Sequence, residues 1–304
     1  MRVLLSGAHG LVGGALSRRL LDDGHSVVPL VRGTGPSAGA GVGWDPAQGT
    51  LDQGALTAQG PYDAVVHLAG AGIGDRRWSA AYKQLILDSR VRATSLLAGA
   101  VTDLRPVPPV FVSASAVGYY GDRGDERLDE QSAPGTGFLA DVCRAWEGAT
   151  SPAVGVTRVV RVRSGIVLAP RGGALGRQLP LFRLGLGARL GRGEQFVSWI
   201  SLVDEVKAIL RAVEDERLEG ALNACAPDPV TNAEFTRALG RALRRPAALV
   251  VPRRLVEVVL GREMAGELLF ASQRVQPARL VAVGHAFAHP DLDGALAALL
   301  EPAA

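Results

Sequence analysis

Short, densely apolar runs alternate with longer stretches in which apolar residues return every three or four positions, and this alternation fills the first half of the chain. Residues 3–5, 27–31, 64–68, 110–113 and 156–162 are rich in Val and Leu, which predicts strands buried on both faces. Between them the period of a helix runs over 11–22, 79–101 and 137–149. Strand and helix in alternation predict a parallel sheet covered by helices, with a ligand at the carboxyl ends of the strands. Residues 33–60, rich in Gly, Pro and Ala, read as loop with a short strand at Val42-Gly43-Trp44.

The pattern changes after residue 169. Pro170, Gly172 and Gly173, then Gly185, Gly187, Gly191 and Gly193, interrupt any long helix, and 170–198 is expected to form a glycine-hinged lid. A helix over 202–213 and a strand over 221–225 are expected to rejoin the main sheet. Helices over 232–243, 252–260, 268–283 and 291–300 then form a C-terminal lobe, 227–304. Thr231 with Glu234 three residues on reads as a capping box. The expected domains are 1–169, rejoined by about 199–226, and a substrate lobe made of the lid and 227–304.

The turn joining the first strand to the first helix is Gly7-Ala8-His9-Gly10-Leu11-Val12-Gly13. A glycine-rich turn at a helix N-terminus lets backbone N–H groups approach a pyrophosphate, and the helix dipole favours the anion. Its spacing is G-x-x-G-x-x-G. The fold class that follows is α/β: a Rossmann-type doubly wound parallel sheet with a smaller, mostly helical C-terminal substrate lobe.

Composition narrows the function classes. The 304 residues are 47% hydrophobic, enough for a large core. Lys and Arg number 33 against 30 acidic residues, scattered rather than striped with aromatics, which argues against nucleic acid. Arg241, Arg244, Arg245, Arg253 and Arg254 read as solvated helix faces. Two distant cysteines, Cys143 and Cys225, point to a reducing compartment. No metal is expected, because His285 and His289 flank Phe287 and precede Pro290. No apolar run reaches the ~20 residues of a membrane span, and no leader pattern opens the chain. A cytoplasmic protein acting on a small molecule, as monomer or homodimer, is the expectation.

Several segments taken in order make the reading more specific: 6–13, His67-Leu68-Ala69-Gly70, Arg76-Arg77-Trp78-Ser79, Ser89-Arg90, 113–121 (SASAVGYYG), 137–147 (GFLADVCRAWE), 163–168 (RSGIVL), 182–187 (FRLGLG), 195–200 (QFVSWI) and 272–277 (SQRVQP). Together they resemble the "epimerase family" branch of the atypical extended short-chain dehydrogenases/reductases, whose members carry a C-terminal domain of unknown function. The resemblance implies an NADP(H) site. Arg32, where an NAD enzyme would place Asp or Glu, agrees, since a guanidinium suits the 2′-phosphate; Asp45 keeps an NAD reading open. Carried over residue by residue, the site comprises Gly7, His9, Gly10, Leu11, Val12, Gly13 and Arg32, with Leu68, Ala69 and Gly70 over the adenine ribose. Ser113 and Arg163 are carried over as cofactor-binding too, and Ser164, Gly165 and Ile166 resemble the segment that lines the nicotinamide.

The catalytic pair of that superfamily does not carry over. Where Tyr-x-x-x-Lys is expected, this chain has Phe138 and Val142. Ser115 is the candidate hydrogen-bond donor to substrate, with Ser113 competing, and Tyr119 or Tyr120 the candidate acid. Asp141, Cys143 and Lys83 are weaker candidates. Phe182, Gln195 and Trp199 are expected to wall the substrate. Two functions remain: an NADP(H)-dependent oxidoreductase or epimerase-like enzyme of unknown small substrate, or a catalytically silent NADP(H)-binding regulatory or redox-sensing protein.

Overall fold

Val3, Leu4 and Leu5 are sealed from solvent between Arg2 and Ser6, and the five residues form β1 (Arg2–Ser6). In the computed structural model, which describes residues 1–33 and 41–301, β1 leads to α1 (Leu11–Asp22), β2 (Ser26–Arg32), β3 (Val42–Asp45), β4 (Thr50–Leu51), α2 (Gln53–Ala58), β5 (Ala64–His67), α3 (Ala80–Asp103) and β6 (Val110–Ala116). Next come β7 (Arg127–Leu128), α4 (Phe138–Gly148), β8 (Arg158–Ser164), β9 (Ile166–Leu168), α5 (Gly173–Arg183), β10 (Ala188–Leu190), β11 (Phe196–Val197) and β12 (Trp199–Ser201). The chain continues through α6 (Leu202–Glu214), β13 (Gly220–Ala224), β14 (Val230–Thr231), α7 (Asn232–Leu243) and β15 (Leu249–Val251). It ends with α8 (Arg253–Leu260), α9 (Arg262–Ala265), β16 (Arg274–Val275), α10 (Ala278–Ala282) and α11 (Leu292–Leu300).

The main sheet has the order β13-β8-β6-β5-β1-β2-β3-β4. β1 pairs in parallel with both β2 and β5, and β4 closes one edge antiparallel to β3. The chain builds outward from β1 through β2 and β3, then crosses to β5 and builds the other way. The carboxyl ends of β1 and β5 are therefore the switch point where a crevice opens in such sheets. Those ends carry the glycine turn and Leu68-Ala69-Gly70.

The residues fall into two compact units. The first comprises Met1–Ser115, Val142–Val162 and Ile209–Leu222; the second comprises Ala116–Asp141, Arg163–Ala208 and Asn223–Ala304. In the first, Leu4, Val28, Leu30, Trp44 and Val65 of the sheet pack with Ala93, Leu97 and Val101 of α3. Each Val or Leu side chain among them, fully buried, contributes roughly 1.5–3 kcal/mol. Ser79 starts α3 by accepting the Tyr82 N–H at 3.2 Å. Arg158 holds the end of α6 and the turn after it, donating to the carbonyls of Ala212, Val213 and Leu218 at 2.7–2.8 Å.

In the second unit, Leu175, Leu179 and Phe182 of α5 pack with Trp199, with Phe235 and Leu239 of α7, and with Leu292 and Leu296 of α11. The capping box at Thr231 and Glu234 is formed. Two expectations need correction. The segment 268–283 is not one helix. A π-helical turn ends at Phe270, β16 then pairs with β7, and α10 begins only after Pro277. The Gln276 N–H goes to the Leu128 carbonyl at 2.7 Å, a bond outside any helix, and Pro277 has no N–H to offer. Within 33–60, β3 is joined by β4 and α2, which the Gly and Pro content concealed; 34–40 lie outside the described residues. Among the described residues no helix is long and apolar enough to cross a membrane, and no group of three or more His, Cys, Asp or Glu could hold a metal. His289 instead sits 3.0 Å from the Ser201 hydroxyl.

Candidate functional site

The β1–α1 turn is built so that only glycine fits at two places. Gly7 has φ +75°, and a Cβ there would lie 2.9 Å from the Leu68 carbonyl carbon. At Gly13 a Cβ would lie 2.1 Å from the Gly7 carbonyl oxygen. Gly10, the extended N-cap, supplies no side-chain cap, and the first turn of α1 holds no acidic residue. The leading N–H groups of α1, which begins with Leu11, Val12 and Gly13, thus meet no side-chain acceptor of their own and suit an anion. His9 and Gly10 are exposed at the tip.

Behind the turn, the Ser6 hydroxyl lies 2.6 Å from Nδ1 of His67. Ser6 Oγ also accepts the N–H groups of Leu68 at 3.1 Å and Ala69 at 3.3 Å. Burial pushes His67 down to about 3, so the ring is neutral and shares one hydrogen bond with the Ser6 hydroxyl through Nδ1. This pair ties the carboxyl ends of β1 and β5 together. Both residues fall in segments that the sequence marks, but their pairing does not show there, because they are far apart and belong to two different strands.

Arg32 ends β2 as an exposed side chain opposite Trp44. Asp45, the competing acid, is engaged in its own turn, where its carboxylate accepts the N–H groups of Ala47 and Gln48 at 3.0 and 3.4 Å.

Still in the first unit, the Ser115 hydroxyl donates to the Glu147 carboxylate at 2.7 Å. Ser115 was expected to donate to substrate; its proton points instead to Glu147, which leaves its oxygen as an acceptor. Ser113 is buried with only a 3.4 Å contact to the Ala114 carbonyl. Val142 and Cys143 are buried, while Asp141 is exposed and Lys83 half-buried. A buried thiol of this kind behaves as a small apolar side chain.

In the second unit the two tyrosines separate cleanly. Tyr120 is fully buried, donates its hydroxyl to Asn223 Oδ1 at 2.8 Å and accepts from Arg163 Nη1 at 2.9 Å. Burial pushes its hydroxyl up to about 12 against the opposing pull of Arg163. The Tyr120 hydroxyl is thus engaged by two side chains of the protein itself. Tyr119 is half-buried, and the Arg163 guanidinium lies 3.4 Å from its ring centroid. Glu130 completes the buried network by accepting the Asn223 and Arg279 N–H groups at 3.1 and 3.2 Å, and burial raises its carboxyl above the usual range.

Ser164 donates to Glu205 at 2.6 Å, and burial pushes Glu205 up to about 7. Gly165 leaves no space for a Cβ, which would sit 2.8 Å from the Ser198 carbonyl oxygen, and Ile166 pairs with Trp199 in the β9–β12 ladder. Three expected substrate contacts lie elsewhere. Trp199 is 0% exposed with its indole N–H on the Asp228 carbonyl, Phe182 belongs to the same core, and Gln195 donates to the Leu269 carbonyl at 2.9 Å. Trp199 and Phe182, committed to the core, offer little surface to a ligand, whereas Gln195 is half-buried. Asn223, Glu130 and Glu205 were not singled out beforehand; they act through long-range contacts that leave no local pattern.

A cavity of about 190 Å³ in the second unit is bordered by Gly118, Gly121, Leu139, Glu267, Phe270 and Gln273. Glu267 caps α4 there, accepting the Phe138 and Leu139 N–H groups at 2.8 and 2.7 Å. The residues flanking Tyr119-Tyr120 and the helix start that lacks the usual tyrosine thus meet at one small opening.

Comparison with known proteins places these features. The chain is 46% identical over 295 residues to an epimerase family protein of Mycobacterium leprae, covering 97% of this chain and 94% of the relative. A crystal structure of the human epimerase family protein SDR39U1 with NADPH superimposes with a TM-score of 0.89 at 37% identity, covering 99% of each chain. UDP-glucose 4-epimerase of Thermus thermophilus, in complex with NAD, gives a TM-score of 0.73 at 20% identity over 98% of this chain and 97% of that one, a likeness of fold alone. A domain of unknown function matches residues 251–299. The model of the NAD dependent epimerase/dehydratase family matches residues 3–225, and the chain belongs to that family.

Proposed function

We propose that the chain binds NADP(H) and uses it as an oxidoreductase or epimerase-like enzyme on a small-molecule substrate. The observation that carries this is the uncapped start of α1 behind a turn where Gly7 and Gly13 leave no room for a Cβ. The cradle fits a pyrophosphate, held by the leading N–H groups of α1. Leu68, Ala69 and Gly70, fixed by Ser6 and His67, would border the adenine ribose, and Arg32 would take the 2′-phosphate. The human relative, crystallised with NADPH, supports the same cofactor here.

When bound, the nicotinamide supplies or accepts a hydride; the proton is the protein's part. Tyr119 is the acid this reading assigns, since its hydroxyl is not locked as that of Tyr120 is. Ser115, polarised by Glu147, would accept a hydrogen bond from substrate. Phe138 and Val142, in place of a phenol and an ammonium, favour the second reading, a binding protein without turnover. Net oxidation of NADPH for an oxidoreductase, or conversion of substrate with the cofactor regenerated for an epimerase-like reaction, separates the first reading from the second. Cys143 and Cys225, both buried and not joined in a disulfide, support a reducing, cytoplasmic setting; a monomer or homodimer is the assembly this reading carries.

Arg32→Ala tests the cofactor choice. A guanidinium–phosphate contact worth about 1.5–3 kcal/mol gives wild-type protein a preference for NADPH over NADH of roughly tenfold or more. Fluorescence titration of the variant should show that preference gone and NADH affinity unchanged. Equal affinities in the wild type would reject the assignment.

A further inference from the structure

Arg237, Arg241, Arg244 and Arg245 recur at the spacing of one helix face along α7 and its C-cap, and with Arg189 they line an open cavity of about 660 Å³. All five are exposed, and no carboxylate is among the lining residues. Like charges four apart weaken a helix. The exposed Arg241–Asp293 pair, at 2.8 and 3.0 Å, and the Glu234 carboxylate near Arg237 offset two of them in part. Arg244 adds a second local cost. It caps α7 at φ +52°, the left-handed position that glycine normally takes at a helix end. Two of the last four carbonyls of α7 are already satisfied there, by Arg244 N–H to Arg241 and Arg245 N–H to Gly240, each at 3.0 Å. Those two carbonyls are thus not bare toward an anion approaching the guanidinium groups. Pro246, Ala247 and Ala248 give one side of it an apolar surface.

We infer that this groove binds a small polyphosphate, a ligand carrying at least two linked phosphate groups. Guanidinium forks match phosphate oxygens in pairs, and five of them exceed what a single phosphate can engage. A cavity of this volume accepts a ligand the size of a nucleoside diphosphate. The lining residues all belong to the second unit, and the inference does not rest on the NADP(H) reading.

Isothermal titration of NADPH-saturated protein with inorganic pyrophosphate tests it, with orthophosphate as control. Pyrophosphate should bind at least tenfold more tightly than orthophosphate, and binding should weaken severalfold as salt rises from 50 to about 200 mM, since the site is exposed. The double variant Arg244→Gly, Arg245→Ala should lose about tenfold or more of the pyrophosphate affinity. Its Tm should be no lower than the wild type's, because glycine relieves the left-handed cap. ADP binding more tightly than pyrophosphate would assign a nucleotide, and equal binding a simple diphosphate; both agree with the inference. Equal affinity for pyrophosphate and orthophosphate, or an unchanged double variant, would overturn it.

Discussion

Gly13→Val is expected to abolish NADPH binding, by at least about a hundredfold in affinity, while circular dichroism shows a folded protein. A Cβ at this position lies 2.1 Å from a backbone oxygen of Gly7, and backbone cannot rotate aside as a side-chain tip can. The start of α1 must shift outward, carrying its N–H groups away from the anion they are placed to hold. Hydrogen bonds to charged groups contribute about 1.5–3 kcal/mol each, so losing two accounts for the expected loss. Unchanged affinity would make the turn a packing device only.

The second large effect is on stability. Glu205 is fully buried and its carboxyl is pushed from 4.5 to about 7 by burial, with the Ser164 hydroxyl pulling the other way. Between those values the native state keeps a proton that the unfolded chain releases, so this group's contribution is fully present below about pH 4.5 and is lost as pH rises toward 7. The loss amounts to roughly 3 kcal/mol. His67 has the opposite sign: held near 3, it contributes stability above 6.5 that is lost as pH falls. Glu205→Gln keeps an acceptor for Ser164 and cannot ionise. Urea denaturation should show the variant gaining about 3 kcal/mol over the wild type between pH 4.5 and pH 8. A constant difference across that range would mean that Glu205 ionises freely in the native state.

Local signals made much of the fold legible. The apolar run 3–5, the glycine turn and the helical period that follows specify β1, α1 and the crevice beside them, and the Thr231–Glu234 box marks the start of α7. Absence of Tyr-x-x-x-Lys was equally plain. What escaped notice depends on partners far apart in the chain. Ser6 needs His67, Tyr120 needs Asn223 and Arg163, and Ser115 needs Glu147. Trp199 and Phe182 illustrate the same limit from the other side: an aromatic in a glycine-punctuated segment reads as a lid contact until its neighbours from α7 and α11 bury it. The helical period over 268–283 failed because the pairing of β16 with β7, distant in sequence, overrode local propensity.

A crystal structure of this chain with NADPH tests the central claim most directly. The pyrophosphate should lie within hydrogen-bond distance of the leading α1 N–H groups, with the 2′-phosphate on Arg32. A cofactor bound away from the 7–13 turn, or a 2′-phosphate turned to solvent with Arg32 uninvolved, would contradict it.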